Sequence, residues 1–232
     1  MGEEEVTALA RSLHNVTQLS KLDLSNNPLG HGISELAKHL HSVPHLKELY
    51  LNDTQMGEEE VTALAHSLKN VIELSKLHLS NNPLGHGISE LAKHLHNVPH
   101  LKEFYVIDTQ MGEEEVTVLA HSLKNMTQLS KLSLSYNPLG HGISEFARHL
   151  HSVPQLKKLH LYVTQMGEEK VTALALVLVY VPDLKLLSLD KNLLNRGVTE
   201  LIKCLRSSPQ LPGLCLTQVQ LTKIKKPPSC LL

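Results

Sequence analysis

The sequence has few of the bulky residues that often fill a globular core. Its 232 residues include no tryptophan, only two phenylalanines and five tyrosines, although 41% of the residues are hydrophobic. A buried layer must therefore be built mainly from leucine, valine, isoleucine and alanine. This composition suits thin, repeated layers.

Cysteine, net charge and long apolar runs are also scarce. The three cysteines, at 204, 215 and 230, follow neither a metal-site spacing nor a disulfide framework, which favours a reducing, cytoplasmic setting. The longest apolar run, Leu174 to Val181, is too short to span a bilayer. A formal net charge of -1 provides no overall field that would attract nucleic acid or an anionic membrane. We therefore expect neither nucleic acid nor membrane as a partner.

Repetition is the dominant feature of the sequence. The stretch from Leu19 to Leu29 returns at 74, at 129 and more loosely at 184, which is a period of 55 residues. A variant begins halfway through each period, so that units of two alternating types, here called A and B, begin at 19, 46, 74, 101, 129, 156, 184 and 211. Such a fixed period predicts a solenoid. We expect the repeat domain to span 1-222, beginning with a half-repeat at 1-18, and a basic, proline-containing tail to occupy 223-232.

Each unit contains the pattern of one strand, one turn and one helix. Leu19, Leu22 and Leu24 alternate with polar residues, as in a short half-buried strand, and the apolar residues from Ile33 to Val43 recur at helical spacing. Parallel strands pack more closely than helices do, so stacked units must bend. The expected fold is an α/β horseshoe with an inner parallel sheet of about eight short strands and an outer layer of α-helices. Polar residues at the turn predict a buried ladder: Asn27, Asn82, Asn137 and Asn192 in A units, and Thr54, Thr109 and Thr164 in B units.

The A units match the pattern Leu-x-x-Leu-x-Leu-x-x-Asn-x-Leu, and the sequence therefore resembles the leucine-rich repeat family. The B units depart from it with threonine at the ninth position, and the last unit has Pro212-Gly213 in its strand and Val219 at the ninth position. Alternating units of 27 and 28 residues with helical backs are similar to the ribonuclease-inhibitor subclass, which also occurs in cytosolic nucleotide-binding leucine-rich-repeat (NLR) immune receptors. The resemblance implies a non-catalytic module that binds a protein or peptide on its concave face, as the sensing or regulatory region of an innate immune protein in the cytoplasm. Alternatives are an enzyme inhibitor or GTPase regulator of the ribonuclease-inhibitor type, and a scaffold that uses its convex helices.

The first strand has no neighbour on one side, and an exposed parallel edge is a liability. This indicates a piece of a longer array, which would place any receptor role in a parent protein. The alternative is a free protein whose N-terminal helix covers the edge.

No catalytic, cofactor or metal site is predicted. The stretch Gly30-His31-Gly32 precedes a helix, as in a phosphate-binding loop, but the third glycine of that motif is missing. The sixteen histidines include His39 and His41, which point in different directions on one helix, and their copies in later A units are separated by a B coil. Whether the histidines confer pH sensitivity is left open.

The inner face is where copies of the same unit differ most, which predicts a recognition surface. The third strand position alternates in sign, from Lys21 through Glu48, until Lys131 and Lys158 follow each other and form an unrelieved like-charge pair. We expect a locally acidic partner group there. Tyrosines cluster in the same units, although they could simply pack across strands. The predicted protein-binding residues are Tyr105, Ile107, Lys131, Tyr136, Lys158, His160, Tyr162 and Val163.

The convex face holds one further candidate contact. In the last B helix, Leu176 and Tyr180 replace the polar residues His66 and Asn70 of an earlier copy. Helical phase points both side chains outward. An exposed apolar patch of this kind predicts self-association or docking of a further domain, with relaxed selection near the end of the array as the alternative.

Overall fold

In the computed structural model, residues 1–207 and 211–219 are described, and they form a regular stack of coils. Every strand in this part of the chain is three residues long, with an apolar residue at its centre. Backbone hydrogen bonds between coils continue beyond the strands, for example from Asn26 N to the carbonyl oxygen of Asn52 at 2.8 Å. The strands are β1 Lys21–Asp23, β2 Glu48–Tyr50, β3 Lys76–His78, β4 Glu103–Tyr105, β5 Lys131–Ser133, β6 Lys158–His160, β7 Leu186–Ser188 and β8 Gly213–Cys215.

The strands form one open parallel sheet in chain order, β1 to β8. Equivalent positions pair without a slip: Lys21 lies opposite Glu48, Glu48 opposite Lys76, and Lys131 opposite Lys158. The unit starts read from the sequence therefore give the correct register, and the α/β solenoid is confirmed. The proposed tail at 223-232 lies outside the described residues.

Helices form the opposite layer, one for each coil. Most end in a short 3₁₀ turn, which tightens the chain before it returns to the next strand. The helices in the described residues are α1 Glu3–Ser12, α2 Gly32–His39, α3 Glu58–Ser67, α4 Gly87–His94, α5 Glu113–Ser122, α6 Gly142–His149, α7 Glu168–Val177 and α8 Gly197–Ser207. No helix in this part of the chain combines the length and apolar character needed to cross a bilayer.

The core lies between the two layers and is built from one small set of apolar residues per coil. In the unit that begins at 74, Leu74, Leu77 and Leu79 come from the strand side, and Ile88 and Leu91 from the helix; all are buried. Each helix also packs closely on the next: a Cβ added at Gly32 would lie 2.2 Å from Val6 Cγ1, so only glycine fits there. This contact between α1 and α2 shows that the half-repeat at the start stacks as a proper coil.

The predicted polar ladder is present at the buried turns. Asn82 Oδ1 accepts hydrogen bonds from Thr54 N at 2.9 Å, Thr54 Oγ1 at 3.1 Å and Met56 N at 3.1 Å. Its Nδ2 donates to the carbonyl oxygens of Leu51 and Leu79. Asn137 and Asn192 repeat this pattern. One amide thus joins two coils and satisfies backbone groups that water cannot reach.

Candidate protein-binding surface

The face of the sheet opposite the helices presents three rows of side chains. Row one is the first residue of each strand, row two is the third, and row three is the residue two positions later; the buried residues between them point into the core. All eight predicted residues lie on this face or at the turn beside it: Tyr105, Ile107, Lys131, Tyr136, Lys158, His160, Tyr162 and Val163. The convex candidates Leu176 and Tyr180 lie on the other side of the molecule.

Row one carries charges that alternate in sign from Lys21 to Lys131, and Lys158 breaks this alternation. Lys76 Nζ lies 2.8 Å from Glu48 Oε1, and Lys131 Nζ lies 3.0 Å from Glu103 Oε1. The expectation that Lys131 and Lys158 form an unrelieved pair is therefore wrong for Lys131, because Glu103 compensates its charge from the other side. Among the described residues, no carboxylate lies within ion-pair distance of Lys158, whose next neighbour in the row is Leu186. The available positive charge is at Lys158.

Row two, row three and the turn beside them carry packed rings. His78 packs edge-on against Tyr50 at 4.7 Å between ring centroids and stacks on Tyr105 at 4.2 Å. Tyr136 and Tyr162 make an edge-to-face contact at 5.1 Å. The rings therefore do pack across strands, as the alternative interpretation holds, yet Tyr136 remains 44% exposed. Packing fixes these side chains and leaves part of their apolar surface accessible.

A shallow cavity of about 130 Å³ opens between the two groups of rings. It arises because row two reads Tyr105, Ser133, His160: a small residue lies between two large ones and leaves a hollow. Ile107 and Tyr162 of row three close the other side. Four of the five lining residues are predicted site residues. Ser133, which forms the floor, was left out because the prediction selected aromatic, charged and apolar residues among the positions that vary.

Burial controls the ionisation of the cavity lining. It lowers the pKa of the His160 imidazole, and the neighbouring Lys158 ammonium lowers it further. Burial also raises the pKa of the Tyr105 and Tyr162 phenols. The lining is therefore uncharged near neutral pH, beside the positive charge of Lys158. A group that combines an apolar part with a negative charge fits this arrangement.

The turns after the strands hold residues in the left-handed backbone conformation. Asn26 and Asn81 occupy this position in two A units, and Tyr136 takes it in the third with a φ of 58°. In B units, Asp53 and Asp108 are followed by Val163 with a φ of 54°. Asparagine and aspartate tolerate this conformation, whereas a β-branched residue is strained in it. Two predicted binding residues thus stand where the backbone favours a different residue type.

The convex candidates are exposed, as helical phase predicts. Leu176 is 63% and Tyr180 58% exposed, and Val179 and Ile202 add further exposed apolar surface on α7, its 3₁₀ turn and α8. The structure therefore has the predicted exposed apolar patch on this side. Nothing in the structure identifies what covers it.

In the part of the chain that the structure describes, three groups of histidine and glutamate side chains lie close enough to share a metal ion. In each group, one ligand atom per residue lies within 4.8 Å of the others: His66, Glu90 and His94; His121, Glu145 and His149; His86, Glu114 and Glu115. These groups were not predicted from the sequence, because the histidine pairs considered there lie on one helix or in successive A units. In the first two groups, the signal was a histidine in a B helix beside a glutamate and a histidine of the following A helix. In the third, His86 precedes α4 and both glutamates lie in α5.

Comparison with known proteins identifies the repeat. The Leucine Rich Repeat family model matches residues 18–40 and 73–95. The chain is 32% identical over 95 residues to NLR family CARD domain-containing protein 4 of Rattus norvegicus, over 40% of this chain and 9% of that protein. It is 32% identical over 155 residues to NACHT, LRR and PYD domains-containing protein 5 of Mus musculus, over 64% of this chain and 13% of that protein.

Another relative matches along nearly the whole chain. The Tonsoku-like protein of Mus musculus is 30% identical over 231 residues, which is 93% of this chain and 17% of that protein. Among solved structures, Leiomodin-1 Actin-Binding Site 2 superposes with a TM-score of 0.47 at 14% identity, over 75% of this chain and 87% of that one. The chain spans only a small part of the length of its curated relatives. Together, the family model and these relatives support a protein-binding repeat module.

Proposed function

Because this chain is a leucine-rich-repeat protein that resembles the repeat regions of NLR proteins, we propose that it binds a protein or peptide on its concave face without catalysing a reaction. The proposed role is the sensing or regulatory region of an NLR-like innate immune protein in the cytoplasm. The observation that carries the proposal is the cavity between Tyr105 and His160, next to the unpaired Lys158.

The cavity has the composition of an interface centre. Interfaces concentrate their binding energy in aromatic residues that are held rigidly and surrounded by neighbours that exclude water. Tyr162 is fixed by its contact with Tyr136, and Tyr105 by its stack on His78, so little side-chain entropy is lost when a ligand binds. The proposed ligand inserts an apolar side chain above Ser133 and places a carboxylate against Lys158.

Other units of the same chain supply substitutions that fit the fold. Asn52 stands at the position of Ile107 and Tyr162 in an earlier B unit, so Ile107→Asn and Tyr162→Asn should preserve the coil. Asp23→Ser is the matched control, because Ser133 occupies the same row in β5. The intact chain and these variants serve as bait for crosslinking capture and mass spectrometry from cytosol.

The expected result is a set of proteins that both asparagine variants lose and the control retains. Truncation of an interface anchor typically costs about 2 kcal/mol, which is roughly a thirtyfold loss of affinity. Once a ligand is purified, Lys158→Glu should weaken binding most at low salt. Equal capture by wild type and all variants would reject the concave site.

The inhibitor and regulator alternative uses the same surface and needs a different assay. Ribonuclease and GTPase activities measured with and without the intact chain test it directly. A change in either rate that Tyr162→Asn abolishes would favour a regulator over a sensor.

The exposed patch at Leu176 and Tyr180 supports a second contact, which we propose to be self-association through α7. Analytical ultracentrifugation of the wild type and of the double variant Leu176→Lys, Tyr180→Lys tests this. Dimers of the wild type that disappear in the variant are the expected result. The same monomer in both samples would remove self-association from the proposal.

A further inference from the structure

The convex surface carries two copies of a histidine, glutamate and histidine triad. In the first, His66 comes from α3, and Glu90 and His94 come from α4; in the second, His121 comes from α5, and Glu145 and His149 come from α6. The two residues from the A helix are four positions apart and lie on one face. The B-helix histidine reaches them from the neighbouring coil, so the triad depends on how the coils stack.

In each triad, the two histidine-to-glutamate distances have the spacing of ligands around a metal ion. His66 Nε2 lies 3.4 Å and His94 Nδ1 3.5 Å from the same oxygen, Glu90 Oε1. In the second triad, both distances to Glu145 Oε1 are 3.5 Å. Bonds of about 2.0–2.1 Å in a tetrahedral zinc site place neighbouring ligand atoms about 3.3 Å apart. By contrast, the hydrogen-bonded His86 lies at 2.6 Å from its glutamate.

The glutamate presents one oxygen to the histidines and uses the other elsewhere. Lys93 Nζ lies 3.0 Å from Glu90 Oε2, and Arg148 holds Glu145 Oε2 at 2.8 Å. These contacts orient the carboxylate and leave Oε1 available, in the way that residues around metal sites commonly fix their ligands. His94 Nδ1 also lies 3.1 Å from the carbonyl oxygen of Glu90, so a metal at Nδ1 would displace that contact and leave the ring proton on Nε2.

Two other pairs consist of a B helix followed by an A helix, α1 with α2 and α7 with α8. These pairs lack the triad, and they show which residues replace it. In the first pair, Arg11 takes the place of the B-helix histidine and lies 3.6 Å from Glu35, beside His39. In the last pair, the equivalent residues are Leu176, Glu200 and Cys204. An arginine at this position is therefore compatible with the coil while offering no metal ligand.

We propose that each triad binds one divalent transition-metal ion of the Zn²⁺ class, through two imidazoles and one carboxylate. Three protein ligands leave a fourth position for water or for a group from a partner. His66 is 58% exposed at its side chain, which gives the ion a path from solvent. Each ion would link an A helix to the preceding B helix, and this proposal is independent of the concave site.

Isothermal titration of the intact chain with Zn²⁺ near neutral pH tests the proposal. We compare the wild type with His66→Arg, with His121→Arg and with the double variant, each of which copies the first pair of helices. The matched control is His41→Arg, which adds the same charge to a coil without a triad. Comparing differences in stoichiometry separates the triads from any zinc bound by cysteines.

The expected result is a loss of one bound equivalent in each single variant and of two in the double variant, with no loss in the control. Zn²⁺ should also raise the thermal midpoint of the wild type relative to the same protein in chelator, because an ion that binds only the folded state stabilises it. That increase should shrink stepwise in the variants. An unchanged stoichiometry across all variants, or an equal loss in the control, would overturn the proposal.

Discussion

Val163 offers a direct test of backbone strain at the proposed binding surface. Its φ of 54° lies in the left-handed region, where the equivalent residues of the two preceding B units are Asp53 and Asp108, both with a φ of 52°. For a non-glycine residue this conformation costs about 1–2 kcal/mol, and β-branched residues are at the unfavourable end. We predict that Val163→Asn stabilises the fold. Asparagine is preferable to aspartate because the amide of residue 163 bonds to the carbonyl of Asp190, where a second carboxylate would be repelled.

The net gain in the free energy of unfolding is smaller than the strain energy of Val163. Val163 is partly buried, and removal of its methyl groups from that contact costs up to about 0.8 kcal/mol per buried carbon. Asparagine retains part of the conformational cost. The balance predicts a gain in the free energy of unfolding of about 0.5–1 kcal/mol, equivalent to an increase of a few degrees in the thermal midpoint for a chain of this size.

Urea unfolding followed by circular dichroism measures this gain, with an unchanged m-value as the sign that stability alone has changed. The control is Val163→Thr, which keeps the β-branched shape and should stabilise nothing. If asparagine proved no better than threonine, the strain argument would fail. A variant that is more stable but binds its ligand less well would indicate that the strain is retained for recognition.

Three further outcomes concern a helix N-terminus, the buried ladder and the cavity lining. Lys170→Glu should raise the urea midpoint by the equivalent of about 0.5–1 kcal/mol, because glutamate at this place in α3 and α5 accepts the preceding glycine amide; an unchanged midpoint would argue against the cap. Asn137→Ala should cost about 3 kcal/mol or more, since it leaves several buried groups unpaired, and a loss under 1 kcal/mol would contradict the ladder. His160, whose folded pKa is lowered by burial and by Lys158, favours folding above about pH 6.5, and this contribution is lost as the pH falls toward the folded pKa. NMR titration should show a higher His160 pKa in Lys158→Gln, and no increase would refute the role of that lysine.

The fold could be predicted almost completely, because the positions of the repeats in the sequence give the register of the strands. Lys21, Glu48 and Lys76 were placed side by side from unit starts alone, and the sheet pairs them so. The buried ladder followed from a polar residue recurring where the chain turns. The period identifies which residues are equivalent. In a solenoid, equivalent residues of neighbouring coils lie side by side.

The site was predicted less completely, because side-chain contacts depend on neighbours that the repeat pattern does not rank. Lys131 looked unpaired when compared with Lys158 alone, yet Glu103 on its other side holds it at 3.0 Å. Ser133 was not selected as a binding residue, although its small side chain creates the cavity. In both cases the deciding residue is the cross-strand neighbour of a residue that was selected for its charge or its ring.

Differences between equivalent positions carry more functional information in this molecule than the residue types themselves. One outward position of the B helices holds Arg11, His66, His121 and Leu176 in succession. A single histidine there would be an ordinary surface residue, but its place beside an unchanged glutamate, and its replacement by arginine or leucine in the outer coils, separates the central pairs of helices from the ends. The same comparison isolates Tyr162 from Asn52 on the concave side. Since the backbone is nearly the same in every coil, each such difference changes the surface with little change in the fold, and the chain itself provides the control for each experiment.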